Sequence, residues 1–120
     1  MSDLDRLAAD LGAAADGVHR KAREVVERNA TELRDQWRDN VRVTGRRHAV
    51  HYLKAVTAEQ IPAADGIAWE VGPDSSMKQG AMSFEFGSSN QPPHLDGMRA
   101  AVQQEPKFIK DLKEITKDML

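Results

Sequence analysis

Apolar residues recur at steps of three and four through the first forty positions of the chain. The stripe is interrupted only at Asn29, and this spacing places its members on one face of an α-helix. Gly12 and Gly17 each weaken a helix by about 1 kcal/mol relative to Ala. We therefore predict a weak helix over Leu4–Asp16 that continues into a strong helix over Val18–Asp39. The stripe consists of Leu4, Leu7, Ala8, Leu11, Ala14, Ala15, Val18, Ala22, Val25, Leu33 and Trp37.

The middle of the chain alternates between apolar and polar residues with a period of two. This alternation predicts strands over Ala49–Ala58, Ile67–Val71 and Met82–Phe86. Turn-forming residues separate the three segments, with Pro62 and an Asp-Gly pair in the first gap and Gly72-Pro73 in the second. The pattern predicts a small antiparallel sheet of about three strands.

Prolines and glycines mark the ends of this region. Thr44 and Gly45 form a turn signal before the first strand, and Gly87, Pro92 and Pro93 form a structural hinge after the last one. Amphipathic C-terminal helices follow. Proline suits the first turn of a helix, whereas Pro106 should end or kink one.

The predicted fold class is α+β, with a long N-terminal helix, a small antiparallel sheet of about three strands and C-terminal helices. The 120 residues fit a single domain. Within it we distinguish a helical arm (1–40), a β-sheet region (41–91) and C-terminal helices (92–120).

The segment 84–94, Phe-Glu-Phe-Gly-Ser-Ser-Asn-Gln-Pro-Pro-His, resembles the signature of siphophage tail-completion, or head–tail joining, proteins. In that family an EFG-[ST] strand end precedes a Pro-rich turn and an R-x-A motif, which matches 99–101. Residues 43–46, Val-Thr-Gly-Arg, are similar to the start of the family's first strand. The order of elements also matches, so the resemblance covers 22–112. The chain departs from the family pattern at Leu95, at Gly97 or Met98, and at Arg46.

The resemblance implies a structural virion protein that acts by assembly and has no enzymatic activity. It implies a ring of identical subunits, expected to be hexameric, at the head-proximal end of the tail. The neighbours would be the tail terminator and the head-connector or stopper proteins. The subunit would be synthesised in the host cytoplasm. A closely related alternative is the tail terminator ring subunit itself.

Charge is distributed in zones along the chain, although the net charge is only −2. Five bases and one acid lie over 38–54, and four acids with no base lie over 55–77. Such zones suit contact between identical subunits. The basic segment Arg42–Lys54 also leaves open non-specific contact with DNA in the lumen of the neck. A small DNA-binding regulator is the alternative of a different class.

The residue types present narrow the chemistry further. Cysteine is absent, which excludes disulfides and thiolate sites. His48 and His51 would point to opposite faces of the predicted strand, so we expect no metal site there. No stretch reaches the length of an apolar membrane span, and the N-terminus does not resemble a signal peptide. We expect no catalytic residue, no cofactor and no membrane partner.

The candidate site residues are therefore those of a subunit or partner interface. Trp37 and the arginines are candidates for contact with a neighbouring copy. The loop that follows the second strand is polar, as binding loops often are. The set is Trp37, Arg42, Arg46, Arg47, Asp74, Ser75, Ser76, Met77 and Lys78.

Overall fold

The structure is a computed structural model and describes residues 2–45, 50–64, 67–74, 85–87 and 93–117. The architecture is α+β, as the sequence predicts: a long N-terminal helix, an antiparallel sheet and a C-terminal helix. Its elements in chain order are α1 (Asp3–Gly45), α2 (Val50–Ala55), β1 (Val56–Gln60), β2 (Trp69–Pro73) and α3 (Asp96–Lys117).

Helix α1 is a single helix of 43 residues. Ser2 and Asp5 cap its start reciprocally, because each backbone N–H donates to the other residue's side chain. The helix passes Gly12 and Gly17 without a break and ends at Gly45, beyond the predicted end at Asp39. It extends about 65 Å at about 1.5 Å per residue. Its length therefore sets the longest dimension of the molecule, which measures 71 × 25 × 19 Å.

The first predicted strand, Ala49–Ala58, is wrong over its first half. Residues 50–55 form α2 instead, and only Val56 onward is extended. A helix places Tyr52 and Ala55 on one side, where both are buried, whereas a strand would point them to opposite faces. Tertiary packing of these two side chains thus outweighs the alternating pattern.

The sheet of the described residues has two strands, one fewer than predicted. Strands β1 and β2 are antiparallel, with Val56 opposite Pro73 and Gln60 opposite Trp69. The second strand begins at Trp69 rather than at Ile67. The third predicted strand, Met82–Phe86, is wrong at its end, where residues 85 and 86 are helical. The rest of that strand lies outside the described residues.

Helix α3 continues through Pro106, so the predicted break is wrong. Proline in a helix interior costs about 3 kcal/mol. Contacts with α1 hold α3 on both sides of the proline. Before the proline, the side chain of Asn40 donates a hydrogen bond to the backbone carbonyl of Asp96. After the proline, the side chain of Asn29 donates one to the carboxylate of Asp111. These contacts offset the cost of the proline.

The buried core is small and lies where α1, α2 and the sheet meet. Val41, Tyr52 and Val56 form its centre, with Trp37 and Leu53 packed against them. Helix α3 lies antiparallel to the C-terminal part of α1 and buries Ala100 and Ile115 there.

Candidate functional site

Trp37 occupies the junction between α1, β2 and α3. Its indole Nε1 donates a hydrogen bond to the Tyr52 hydroxyl at 2.9 Å, and its ring lies against the backbones of Gly72 and Gly97. A Cβ at residue 97 would overlap the ring, so only glycine fits this close approach. The predicted interface anchor therefore packs within its own chain, where it joins three elements.

Tyr52 is fully buried beneath this junction. Burial raises the pKa of its hydroxyl to about 12, because the ionised form loses its hydration. The hydrogen bond from Trp37 acts in the opposite direction, while the nearby carboxylates of Glu85 and Asp96 raise the pKa further. Tyr52 therefore stays neutral and serves as an acceptor in the core.

The N-terminus of α3 is held by two buried carboxylates. Glu85 accepts the backbone N–H groups of Gly97 at 2.9 Å and Met98 at 3.0 Å. Asp96 accepts the Thr44 hydroxyl at 2.8 Å and the Arg99 guanidinium at 2.9 Å. Acidic groups stabilise this end of a helix, where N–H groups lack intrahelical partners. Glu85 thus caps the first turn of α3, and Asp96 fastens that turn to Thr44 in the last turn of α1.

A second polar cluster fastens the other end of α3 to α1. Asn29, the one interruption of the apolar stripe, is buried and donates to Asp111 at 2.9 Å, and Arg28 pairs with the same carboxylate at 3.1 Å. Lys107 pairs with Glu32 at 2.7 Å. The Lys107 hydrogen bond lowers the pKa of Glu32, and the Asn29 hydrogen bond lowers the pKa of Asp111. We call these five residues the α1–α3 seam.

The predicted basic segment is described only in part. Arg42 pairs with Asp39 of its own helix at 2.7 Å, while Arg46 and Arg47 lie outside the described residues. His51 lies exposed on helix α2 and not on a strand. The expectation that His48 and His51 point to opposite faces of a strand therefore does not apply to His51. His48 lies outside the described residues. Within the described part of the chain, no three potential ligands cluster as a metal site would require.

The predicted partner loop and hinge are also described in part. The backbone of Asp74 donates to Ala55 at 2.8 Å and so fastens the end of β2. Thr44 and Gly45 form the last turn of α1 rather than a turn before a strand. Gly87 has a positive φ of 84°, which suits the predicted turn. Pro93 is exposed. The hinge residue Pro92 and the loop residues Ser75, Ser76, Met77 and Lys78 lie outside the described residues.

Sequence reasoning did not single out Glu85 and Asp96, although they organise the junction. One signal was available for Asp96, because an acid next to Gly97 at the start of an apolar helical pattern is typical of a helix N-terminus. Glu85 offered no such signal, since it lies more than ten positions before its partners in α3. Glu85 can cap α3 only because the folded chain brings residue 85 next to the first turn of α3.

Exposed apolar residues form one stripe on the first turns of α1 and another on α3, and Val43, Val50, Ile61 and Phe86 are exposed elsewhere. All residues over 3–16 are exposed, including Leu4 at 75%, Leu7 at 55% and Leu11 at 63%. On α3 the exposed stripe consists of Met98, Val102, Ile109 and Leu112. A groove of about 300 Å³ also opens between α1, β2 and α3, lined mainly by apolar side chains that include Leu33, Trp69 and Phe108.

No protein-family model matches the chain, and searches of curated proteins and solved structures found no significant similarity. None of the helices in the described ranges combines the length and apolar character needed to span a bilayer. The geometry therefore defines an α+β chain whose conspicuous surfaces are apolar helical stripes.

Proposed function

We propose that this chain is a structural subunit of a siphophage neck, of the tail-completion or head–tail joining class. It acts by ring assembly between the head connector and the tail, in a ring expected to be hexameric. Binding energy comes from repeated contacts between subunits and needs no catalytic turnover. The family resemblance of the sequence supports the phage assignment, and the exposed helical surfaces support the assembly mechanism.

The observation that carries the assembly mechanism is the projecting part of α1. The described part of α3 extends to Lys117, and Ile115, the last buried residue in that part, lies one turn from Asp111, which contacts Arg28. The first turns of α1 therefore extend beyond the body of the molecule. We call residues 3–16 the projecting segment.

The projecting segment has the surface of a helix that packs against a partner. Its leucines continue the stripe that contacts the body further along α1, yet all three stay exposed in the single chain. Burying a leucine side chain stabilises a protein by about 1.5–3 kcal/mol. An apolar stripe of this kind on an extended helix marks an interaction surface.

Two alternatives use the same chain differently. The tail terminator ring subunit would rely on the same assembly surfaces. The DNA-binding regulator would rely on Arg42–Lys54. Within that segment Arg42 is paired with Asp39, and the carboxylate weakens the attraction of Arg42 to a phosphate group. The neck subunit is therefore the function that we favour.

Quantitative mass spectrometry of purified virions tests this proposal. We expect the chain in tailed particles that have been treated with nuclease and washed in high salt, at a copy number that fits one ring. Its detection only in infected-cell lysate, with none in particles, would contradict the neck assignment. Strongly salt-dependent binding of the purified chain to DNA would then favour the regulator.

A further inference from the structure

We propose that the projecting segment of one copy packs along the exposed stripe of α3 on a second copy. The stripe consists of Met98, Val102, Ile109 and Leu112, and we call it the α3 stripe. This inference rests on the self-assembly part of the proposed function and does not depend on the location of the protein in a virion. It names the two surfaces that meet.

The α3 stripe has the spacing of a helix-packing seam. Its members occupy a and d positions of successive heptads, apart from the d position between Val102 and Ile109, where Glu105 is exposed. Val102 is 63% exposed and Met98 is 58% exposed. The opposite side of α3 carries Ala100, which is buried, and Asp111, which contacts Asn29 and Arg28 of α1. The stripe therefore faces outward and is available to another helix.

The projecting segment presents a matching seam. Leu4, Leu7, Leu11 and Ala14 follow one another at steps of three and four, again in heptad positions. The segment has about four turns, as does the α3 stripe, at about 3.6 residues per turn. The two seams therefore match in length, and the leucines of one helix can pack between Met98 and Val102 and between Ile109 and Leu112 of the other, on either side of Glu105.

Charge selects the α3 stripe as the partner of the projecting segment. The segment carries four acids, Asp3, Asp5, Asp10 and Asp16, against the single base Arg6. Two projecting segments would repel each other. The α3 stripe is instead bordered on one side by bases at the neighbouring helical positions, which attract the acids. These bases are Lys110, Lys113 and Lys117, and Arg99 on the same side is paired with Asp96 of its own helix.

The contact must form between two molecules. The projecting segment belongs to the continuous helix α1, and the α3 stripe faces away from α1. A chain cannot bend its own segment around to that side without breaking α1. Each copy thus offers one donor helix and one acceptor helix. Two copies can exchange segments reciprocally, or many can join head to tail and close into a ring.

Cross-linking of single-cysteine variants tests the contact directly, because the natural chain contains no cysteine. We would mix Leu7→Cys with Val102→Cys under mild oxidation. We expect the mixture to form about tenfold more disulfide-linked heterodimer than the disulfide-linked homodimer that either variant forms alone. The proposed contact raises the effective concentration of the two cysteines. Leu4→Cys and Leu11→Cys, tested with the same partner, locate the register. In the control, Leu7→Cys is mixed with Glu59→Cys, which lies exposed on β1, and we expect only the background level of disulfide-linked dimer.

Charge exchange supplies a second readout that does not depend on cysteine. The variant Asp3→Lys/Asp10→Lys and the variant Lys110→Glu/Lys113→Glu should each weaken self-association by about tenfold, as measured by analytical ultracentrifugation. An equimolar mixture of the two should associate again. Circular dichroism should show unchanged helix content in each variant, because the substitutions lie on exposed helix positions.

The outcomes separate this inference from the proposed function. Unchanged self-association in both charge variants would overturn the inference, and so would cross-links that form only between two Leu7→Cys chains. Ring assembly would then use other surfaces. A chain that remains monomeric at every concentration and forms no cross-link would also overturn it. The copy number in virions would still decide the neck assignment independently.

Discussion

At Gly97 the backbone of α3 passes so close to Trp37 that a single methyl group cannot be added without movement. A Cβ there would lie 2.6 Å from Cε2 and Cη2 of the ring. We expect Gly97→Ala to lower the free energy of unfolding by about 1–3 kcal/mol, the usual cost of overpacking. Urea denaturation measures the effect.

Gly12→Ala is the matched control for that substitution. Gly12 also lies inside a helix, but nothing stands within 4 Å of the added Cβ. We expect Gly12→Ala to raise the stability of the helix by about 1 kcal/mol, because alanine is the better helix former. Equal effects at both positions would contradict the described packing of Trp37 against α3.

Tyr52 offers a second test at the residue scale, since it is the only tyrosine in the chain. Tyrosinate absorbance in the near ultraviolet therefore reports on this side chain alone. We expect half-ionisation of the folded protein near the raised pKa of about 12. In denaturant the value should fall to about 10.

The sign of the linked stability effect follows from the direction of that shift. The pKa of Tyr52 is higher in the folded state, so its contribution to stability is complete below about pH 10 and is lost as the pH rises toward 12. Half-ionisation of the native protein near pH 10 would show that Tyr52 is exposed to water, contrary to the structure.

At the scale of elements, the α1–α3 seam makes stability depend on pH. The pKa values of Glu32 and Asp111 are lowered by hydrogen bonds from Lys107 and Asn29 respectively. The folded state therefore favours the ionised carboxylates. Their contribution is present above the unfolded pKa values of about 4 and is lost as the pH falls through the lower folded values.

We expect the free energy of unfolding to decrease as the pH is lowered from about 5 to 3. The double variant Glu32→Gln/Asp111→Asn should be less stable at neutral pH and should show a shallower decrease. Urea titrations at several pH values measure both. Glu59→Gln, on β1, is the control. A double variant with the same acid dependence as the natural chain would exclude the seam as its source.

The elements show where sequence patterns suffice and where they do not. The helical stripe predicted α1 because many regularly spaced residues agree, and two glycines were too few to end it. The strand predicted at Ala49–Ala58 was wrong over residues 50–55, because short alternations also fit a helix and the burial of Tyr52 and Ala55 favours the helix. The helix break predicted at Pro106 was also wrong, because contacts with α1 hold α3 on both sides of the proline.

The candidate interface was harder to predict than the fold class. A tryptophan on a helix suits a subunit contact or a core, and only the approach of Gly72 and Gly97 shows that Trp37, which is half-buried, packs against its own chain. The leucines of the projecting segment were read as part of one continuous apolar face. That Leu4 and Leu7 extend beyond α3 depends on where α3 ends, which is a property of the assembled helices.

The whole molecule consists of a small body with a helix that projects from it. The body is held by the Trp37 junction at one end of α3 and by the α1–α3 seam at the other. The projecting segment adds apolar surface that the single chain cannot bury. Under the proposed assembly, contacts between copies would bury this surface and stabilise the folded chain.

Cryo-electron microscopy of purified virions would locate the chain and its contacts in one experiment. We predict a symmetric ring of this chain at the head–tail junction, with the leucines of each projecting segment against Val102 and Ile109 of a neighbour. Intact particles with no density for this chain at the junction would contradict the account.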